Sequence, residues 1–215
     1  MKLHKERELL VQYGRKLLES GLTRGTGGNL SVFDRTEGLI AVTPSGLDYL
    51  KTAAEDIILL DLQGNVMEAR EGRKPTSEVS LHLAIYRSRP DVSAIVHTHS
   101  LHATALACMG EEIRAVHYLA ALGGRRVRCA PYHTYGSGEL AEACLHHLEG
   151  NFAVLLANHG LVTVGDSLPG AFSTAEHLEY VAEIQCLTQG LGGARELTAD
   201  EMEAVMARLE VFPYS

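Results

Sequence analysis

Two short apolar runs each end in histidine at the point where the chain turns away. Val92 to Val96 reads VSAIV and leads into His97-Thr98-His99; Ala153 to Leu156 reads AVLL and leads into Asn158-His159-Gly160. Runs of this length and composition read as buried strands. Along a strand, residues i and i+2 point to one face, so His97 and His99 can reach one ion together. His159, at a second strand end, would complete a three-nitrogen site. Three imidazoles with an open position form the ligand set of a catalytic zinc rather than a structural one. The sequence therefore describes a metal-dependent enzyme on a sheet scaffold.

The chain has 215 residues, which suits one large domain over 1–215, and is 46% hydrophobic, enough for a sizeable core. Its net charge is −8, without a basic stripe and without tryptophan, which argues against a nucleic-acid role. No apolar run approaches the roughly 20 residues that span a bilayer. The charged, amphipathic start MKLHKERELLVQYG lacks a signal-peptide block. Cys108, Cys129, Cys144 and Cys186 lack CxxC spacing and read as buried thiols of a cytoplasmic protein.

Periodicity predicts helices over 3–20, 76–89, 100–109, 138–148, 168–189 and 199–210. It predicts strands over 30–33, 39–43, 92–97, 127–130, 153–157 and 161–164, and a hairpin of 57–61 with 65–68 around Gln63-Gly64. Thr76 or Ser77 can cap the second helix, and Thr198 the last. Short mixed strands flanked by helices indicate an α/β layered domain.

Glu78 follows Thr76-Ser77. It reads either as a first-turn glutamate favoured by the helix dipole or as a carboxylate beside the cation, available as ligand or base. His82 stands one helical turn further, an ExxxH spacing, yet reads more readily as a core residue than as a ligand. His4, His102, His117, His133, His146, His147 and His177 have no site context. Gly27-Gly28-Asn29, Ser45-Gly46 and Thr76-Ser77 each sit at a turn or helix start. Such places offer N–H groups and hydroxyls that bind phosphate without lysine. Tyr118, in His117-Tyr118-Leu119, reads as a core or interface residue or as an acid for an oxyanion.

The stretches GTGGNLSV (25–32), TPSGLDY (43–49), KPTSE (74–78), AIVHTHS (94–100), AVHYLAALGG (115–124), CAPYHTYGS (129–137) and LLANHGLV (155–162) carry a resemblance over about residues 5–190. The chain resembles the class II aldolase family that contains L-fuculose-1-phosphate aldolase and L-ribulose-5-phosphate 4-epimerase. The resemblance implies a three-layer αβα sandwich with a central mixed, mostly antiparallel sheet. It implies a homotetramer with sites at subunit interfaces. His97, His99 and His159 would hold Zn2+, or another divalent metal such as Mn2+ or Co2+, with Glu78 as resting fourth ligand and acid/base. Gly28, Asn29, Ser45, Gly46, Thr76 and Ser77 would cradle the phosphate of a sugar phosphate, and Tyr118 of a neighbouring subunit would be the proton donor.

Epimerases of the family carry aspartate where Glu78 stands and a THADYFYG-like stretch where this chain reads HYLAALGG; both differences favour an aldolase. The implied reaction is cleavage of a ketose 1-phosphate to dihydroxyacetone phosphate and an aldehyde. L-Fuculose 1-phosphate leads, with 5-deoxyribulose 1-phosphate and 5-methylthioribulose 1-phosphate as alternatives. An epimerase or decarboxylase on the same scaffold, a zinc hydrolase, and a non-enzymatic binding module are the rivals. In these aldolases a tail tyrosine covers the neighbouring site; here Phe212 falls at that position and Tyr214 lies two residues on.

Overall fold

The protein is described by a computed structural model, and the residues it describes are 1–211. Phe212 and Tyr214, and with them the question of the tail, lie outside the described residues. The elements run α1 (His4–Glu19), β1 (Asn29–Asp34), β2 (Leu39–Val42), β3 (Ile58–Leu60), β4 (Val66–Glu68), α2 (Val79–Ser88) and β5 (Ala94–Thr98). They continue with α3 (Leu101–Met109), β6 (Cys129–Ala130), α4 (Gly138–Leu148), β7 (Ala153–Leu156), β8 (Gly160–Gly165), α5 (Leu168–Gln189) and α6 (Ala199–Val211). The strands form one eight-stranded sheet in the order β4-β3-β2-β1-β5-β8-β7-β6. Every pairing is antiparallel except β6 with β7.

Side-chain alternation divides the core into two layers. Leu30, Ala41, Leu59, Ala94, Val96, Leu155 and Leu161 pack with α1, α3 and α5. Phe33, Ile40, Val42, Ile58, Leu60, Ile95, Val154, Leu156 and Val162 pack with α2 and α4. Adjacent residues of a strand enter opposite layers because the side-chain period is two. The result is the expected αβα sandwich with a mostly antiparallel sheet.

Local chemistry explains the predicted boundaries that hold. Ser167 Oγ accepts from Gly170 N–H to cap α5. Thr198 and Glu201 close a reciprocal capping box ahead of α6, with Glu201 N–H donating to Thr198 Oγ1 and Thr198 N–H donating to Glu201 Oε2. In the β3–β4 hairpin, Asp61 Oδ1 accepts from the N–H groups of Gln63 and Asn65.

Two expectations are corrected. Helix α2 starts at Val79, not Thr76, with Glu78 at its N-cap, and neither Thr76 nor Ser77 caps it. The reason is non-local. Thr76 N–H donates to Thr43 O, Ser45 N–H donates to Lys74 O, and Pro44 bridges Pro75. That pairing holds 74–76 extended. The stretch 111–135 also contains a 3-10 turn at Tyr118–Gly123, and its strand shrinks to Cys129–Ala130. All four cysteines are free, as expected of thiols, but of the four only Cys144 is buried. No helix among the described residues is long and apolar enough to cross a membrane.

Candidate functional site

The site lies where β1, β5, the β7–β8 turn and the start of α2 meet. Asn29 of β1 pairs with His97 of β5, which puts both side chains on the face covered by α2. His99 follows one residue past the end of β5. His159 sits in the turn that joins β7 to β8, behind Asn158 in a left-handed conformation with φ 56°. Gly160 is required at this point because a Cβ there would collide with Thr98 O of the neighbouring strand.

The three histidines converge. His97 Nε2 is 3.0 Å from His99 Nε2 and 3.2 Å from His159 Nε2. Glu78 Oε2 is 3.1 Å from His97 Nε2, and Glu78 Oε1 is 3.4 Å from His159 Nε2. A tetrahedral ion with bonds of about 2.0–2.1 Å spaces its ligand atoms by about 3.3 Å. These separations therefore suit one divalent cation. The donor chemistry agrees. His97 Nδ1–H donates to Leu161 O at 3.0 Å, which turns the bare Nε2 toward the cluster. Glu78 Oε1 is buried and has no hydrogen-bond partner among the described residues.

Electrostatics point the same way. Burial, then the neighbouring His97 and His159, holds His99 down to about 3. Burial, then His97, holds His159 down to about 4. Both are neutral imidazoles near pH 7, the form that binds metal. Burial alone would raise the Glu78 carboxyl. His97, His159 and the Asn29 hydrogen bond outweigh it and keep the group well below the usual carboxylate range. Against the desolvation that would lower it, the Glu78 charge raises His97. The cluster thus carries a buried carboxylate that calls for positive charge.

Beside the cluster opens a cavity of about 320 Å3. Gly28, Asn29, Ser45, Gly46, Thr76 and Ser77 all line it, and no lysine or arginine is among the lining residues. The donors these residues offer are backbone N–H groups, the hydroxyls of Ser45, Thr76 and Ser77 and the Asn29 amide. Neutral donors of this kind suit an anion. The Thr43–Ser45 and Lys74–Thr76 pairing brings the second and third clusters together.

Tyr118 does not line this cavity; it is exposed at the start of the 3-10 turn. His82 stays out of the histidine cluster and is a buried core residue bonded to Asn29 and Ser31. Sequence reasoning missed Tyr132, His133 and Tyr135, which line the cavity. The available signal was their place between Pro131 and Gly136 in the CAPYHTYGS stretch. Gly136 packs onto Ser77 so closely that a Cβ would come within 2.7 Å of its carbonyl oxygen.

Residues 8–186 match the family described as Class II Aldolase and Adducin N-terminal domain. The chain belongs to this class II aldolase family. It is 48% identical over 210 residues to a 5-deoxy-D-ribulose 1-phosphate aldolase of Bacillus thuringiensis serovar kurstaki, covering 98% of each chain. It is 37% identical over 187 residues to the L-fuculose phosphate aldolase of Escherichia coli (strain K12), covering 86% of this chain and 85% of the relative. A solved structure described as an L-fuculose 1-phosphate aldolase superimposes with a TM-score of 0.93 at 45% identity, covering 96% of both chains. The protein is accordingly a lyase of the aldolase class.

The backbone under the site gives a first prediction. Gly28 has φ +68°, and a Cβ there would lie 2.5 Å from His97 O. Gly25 has φ +63° with nothing within 4 Å. Gly28→Ala is expected to lose clearly more than the ~1 kcal/mol typical of alanine at positive φ, because β1 must also move off β5. Gly25→Ala is expected to lose only that conformational part. Urea unfolding of the two variants checks this, and equal losses would show that the β1–β5 approach carries no strain.

Proposed function

We propose that the protein is a metal-dependent aldolase that cleaves a 5-deoxypentulose 1-phosphate reversibly to dihydroxyacetone phosphate and acetaldehyde. The observation that carries this reading is the joining of the His97/His99/His159/Glu78 cluster and a cation-free donor cradle in one cavity. The choice of ketose is supported by the 48% identity to a 5-deoxy-D-ribulose 1-phosphate aldolase over 98% of both chains. It is supported also by 39% identity over 204 residues to a 5-methylthioribulose-1-phosphate/5-deoxyribulose-1-phosphate aldolase of Rhodospirillum rubrum. L-Fuculose 1-phosphate, which would yield L-lactaldehyde, is the second reading, favoured by the 0.93 structural match.

His97, His99 and His159 would hold the ion, Zn2+ or another divalent metal, with Glu78 as fourth ligand at rest. When bound, the ion is a Lewis acid that stabilises the negative charge developing on the substrate oxygens. The N–H groups of Gly28, Gly46 and Ser77, the hydroxyls of Ser45 and Thr76 and the Asn29 amide receive the phosphate. In the synthetic direction Glu78 takes a proton from the hydroxymethyl carbon of dihydroxyacetone phosphate. The electron pair left on that carbon attacks the aldehyde carbon. Tyr118 of a neighbouring subunit gives its proton to the aldehyde oxygen. Cleavage reverses each transfer. No lysine imine is needed, and Lys51 and Lys74 have no catalytic role. Tyr118 stands away from the cavity of its own chain, which supports a homotetramer with sites between subunits. The setting is the cytoplasm.

The test is to load the protein with metal and supply dihydroxyacetone phosphate with acetaldehyde, L-lactaldehyde or methylthioacetaldehyde. The highest kcat/KM is expected for acetaldehyde; preference for L-lactaldehyde would move the substrate to L-fuculose 1-phosphate. Release of inorganic phosphate without an aldehyde would indicate a hydrolase.

Glu78→Gln keeps the shape of the side chain and removes its basicity. It is expected to lower kcat by about 10²–10⁴, the range of general acid–base catalysis. Solvent exchange of the dihydroxyacetone phosphate proton should fall in parallel, measured by NMR. Exchange at the native rate would place the base elsewhere.

A further inference from the structure

A file of buried hydrogen bonds leads from the sheet–helix interior to Glu78. Tyr86 Oη is 2.7 Å from Ser31 Oγ, and Ser31 Oγ is 2.6 Å from His82 Nδ1. His82 Nε2 is 2.5 Å from Asn29 Oδ1, and Asn29 Nδ2 donates to Glu78 Oε2 at 2.8 Å. None of the five residues is more than 5% exposed. Ser31 and Asn29 come from one face of β1, while Glu78, His82 and Tyr86 recur every four residues at the start of α2 and along it. One helix stripe therefore meets Asn29 and Ser31 of one strand face through polar groups, while Phe33 of the same face packs on the Tyr86 ring.

Each link has a forced direction. The Glu78 carboxylate only accepts, so Asn29 must turn its N–H toward it. That leaves Asn29 Oδ1 facing His82, and an amide oxygen also only accepts. His82 Nε2 must then carry the ring proton. The neutral ring carries one proton, so its Nδ1 is bare. Ser31 must donate to Nδ1, and Tyr86 must donate to Ser31. For the neutral ring, no other arrangement of protons satisfies all four contacts.

We propose that His82 is a positioning residue: its Nε2–H locks the Asn29 carboxamide in the one orientation that presents N–H, not C=O, to Glu78. The proposal rests on the assignment of Glu78 as the acid/base group. Without the lock, a half-turn of the amide sets its carbonyl lone pairs against the carboxylate. The other Asn29 N–H, which stays available to the substrate phosphate, would be displaced by the same half-turn. His82 would thus couple the binding of phosphate to the aim of the base. The ExxxH spacing, which looks like part of a ligand set, would serve the base from behind.

Two measurements test this. In metal-free wild-type protein with 15N-labelled histidine, His82 should show the Nε2–H tautomer near pH 7, its signals identified by their loss in His82→Gln. A neutral ring with its proton on Nδ1 would overturn the proposal, whatever the protein catalyses. The second compares His82→Met, which fills the space without a donor, with His82→Gln, whose side-chain N–H can reach the Nε2 position. His82→Met should slow proton exchange on dihydroxyacetone phosphate about 10- to 100-fold, the effect of losing one hydrogen bond to a charged group. His82→Gln should recover most of that rate. Equal rates in the two variants, at equal thermal stability, would make His82 a packing residue and overturn the proposal. A wild-type protein that catalyses no exchange would refute the aldolase reading itself, and the tautomer measurement would still decide the chain.

Discussion

Replacing His97 with alanine is expected to remove about one equivalent of divalent metal per chain and to lower cleavage ~10³-fold or more, the rate equivalent of the several kcal/mol a Lewis acid supplies. Metal content by elemental analysis and cleavage rate by coupled assay read the two effects. His97 is 1% exposed and also donates to Leu161 O. Its loss therefore leaves a buried carbonyl without a donor, and stability falls as well. His159 separates the two causes, because its side chain is 14% exposed and it sits in a turn rather than inside the sheet. His159→Ala should lose metal and activity as completely while costing less thermal stability. Chelator should inactivate the native protein and added divalent metal should restore it. A His97→Ala protein with full metal and full activity would refute the site.

Much of this arrangement is legible in the chain because its signals are local. The short apolar runs VSAIV and AVLL give strands, and the side-chain period of two along a strand gives His97 and His99 a common face. The apolar face over 168–189 is long enough to define α5 to the residue. What is not legible depends on partners distant in sequence. The start of α2 moved by three residues because Thr76 bonds Thr43, a contact no window around Thr76 contains. Tyr132, His133 and Tyr135 join the cavity because Gly136 lies against Ser77, and nothing in a single tyrosine announces that. Asn29 was readable as a phosphate donor from its glycine-rich turn. Its bond to Glu78 follows only from the pairing of β1 with β5 and the laying of α2 across both.

His82 shows the same limit at one residue. Its distance from Glu78 in sequence is one helical turn, which is correct, and that spacing alone is compatible with a ligand. The register of β1 decides otherwise. With Asn29 opposite His97, Ser31 falls opposite Ile95, and both ring nitrogens of His82 are consumed by β1 side chains. A histidine with both nitrogens committed has none left for an ion.

Tyr118→Phe gives the catalytic division of labour its sharpest test. Glu78 is assigned to the carbon-bound proton and Tyr118 to the aldehyde oxygen, so the two half-reactions should separate. Tyr118 sits at the start of the 3-10 turn, with its ring 4.6 Å from that of His117 and 40% of its surface exposed. The His117 ring in turn accepts from Leu119 N–H. Circular dichroism and thermal unfolding of Tyr118→Phe check that the fold is kept. Carbon–carbon cleavage should slow by about 10²–10³, as for loss of one proton donor that also bonds to developing charge. Proton exchange on dihydroxyacetone phosphate alone should continue near the native rate, since no aldehyde oxygen takes part in it. If Tyr118 were instead only an interface residue, both rates should fall together and sedimentation should show a weakened assembly. Loss of both rates with the assembly intact would contradict the assignment, because it would tie Tyr118 to the carbon-bound proton that Glu78 is placed to move.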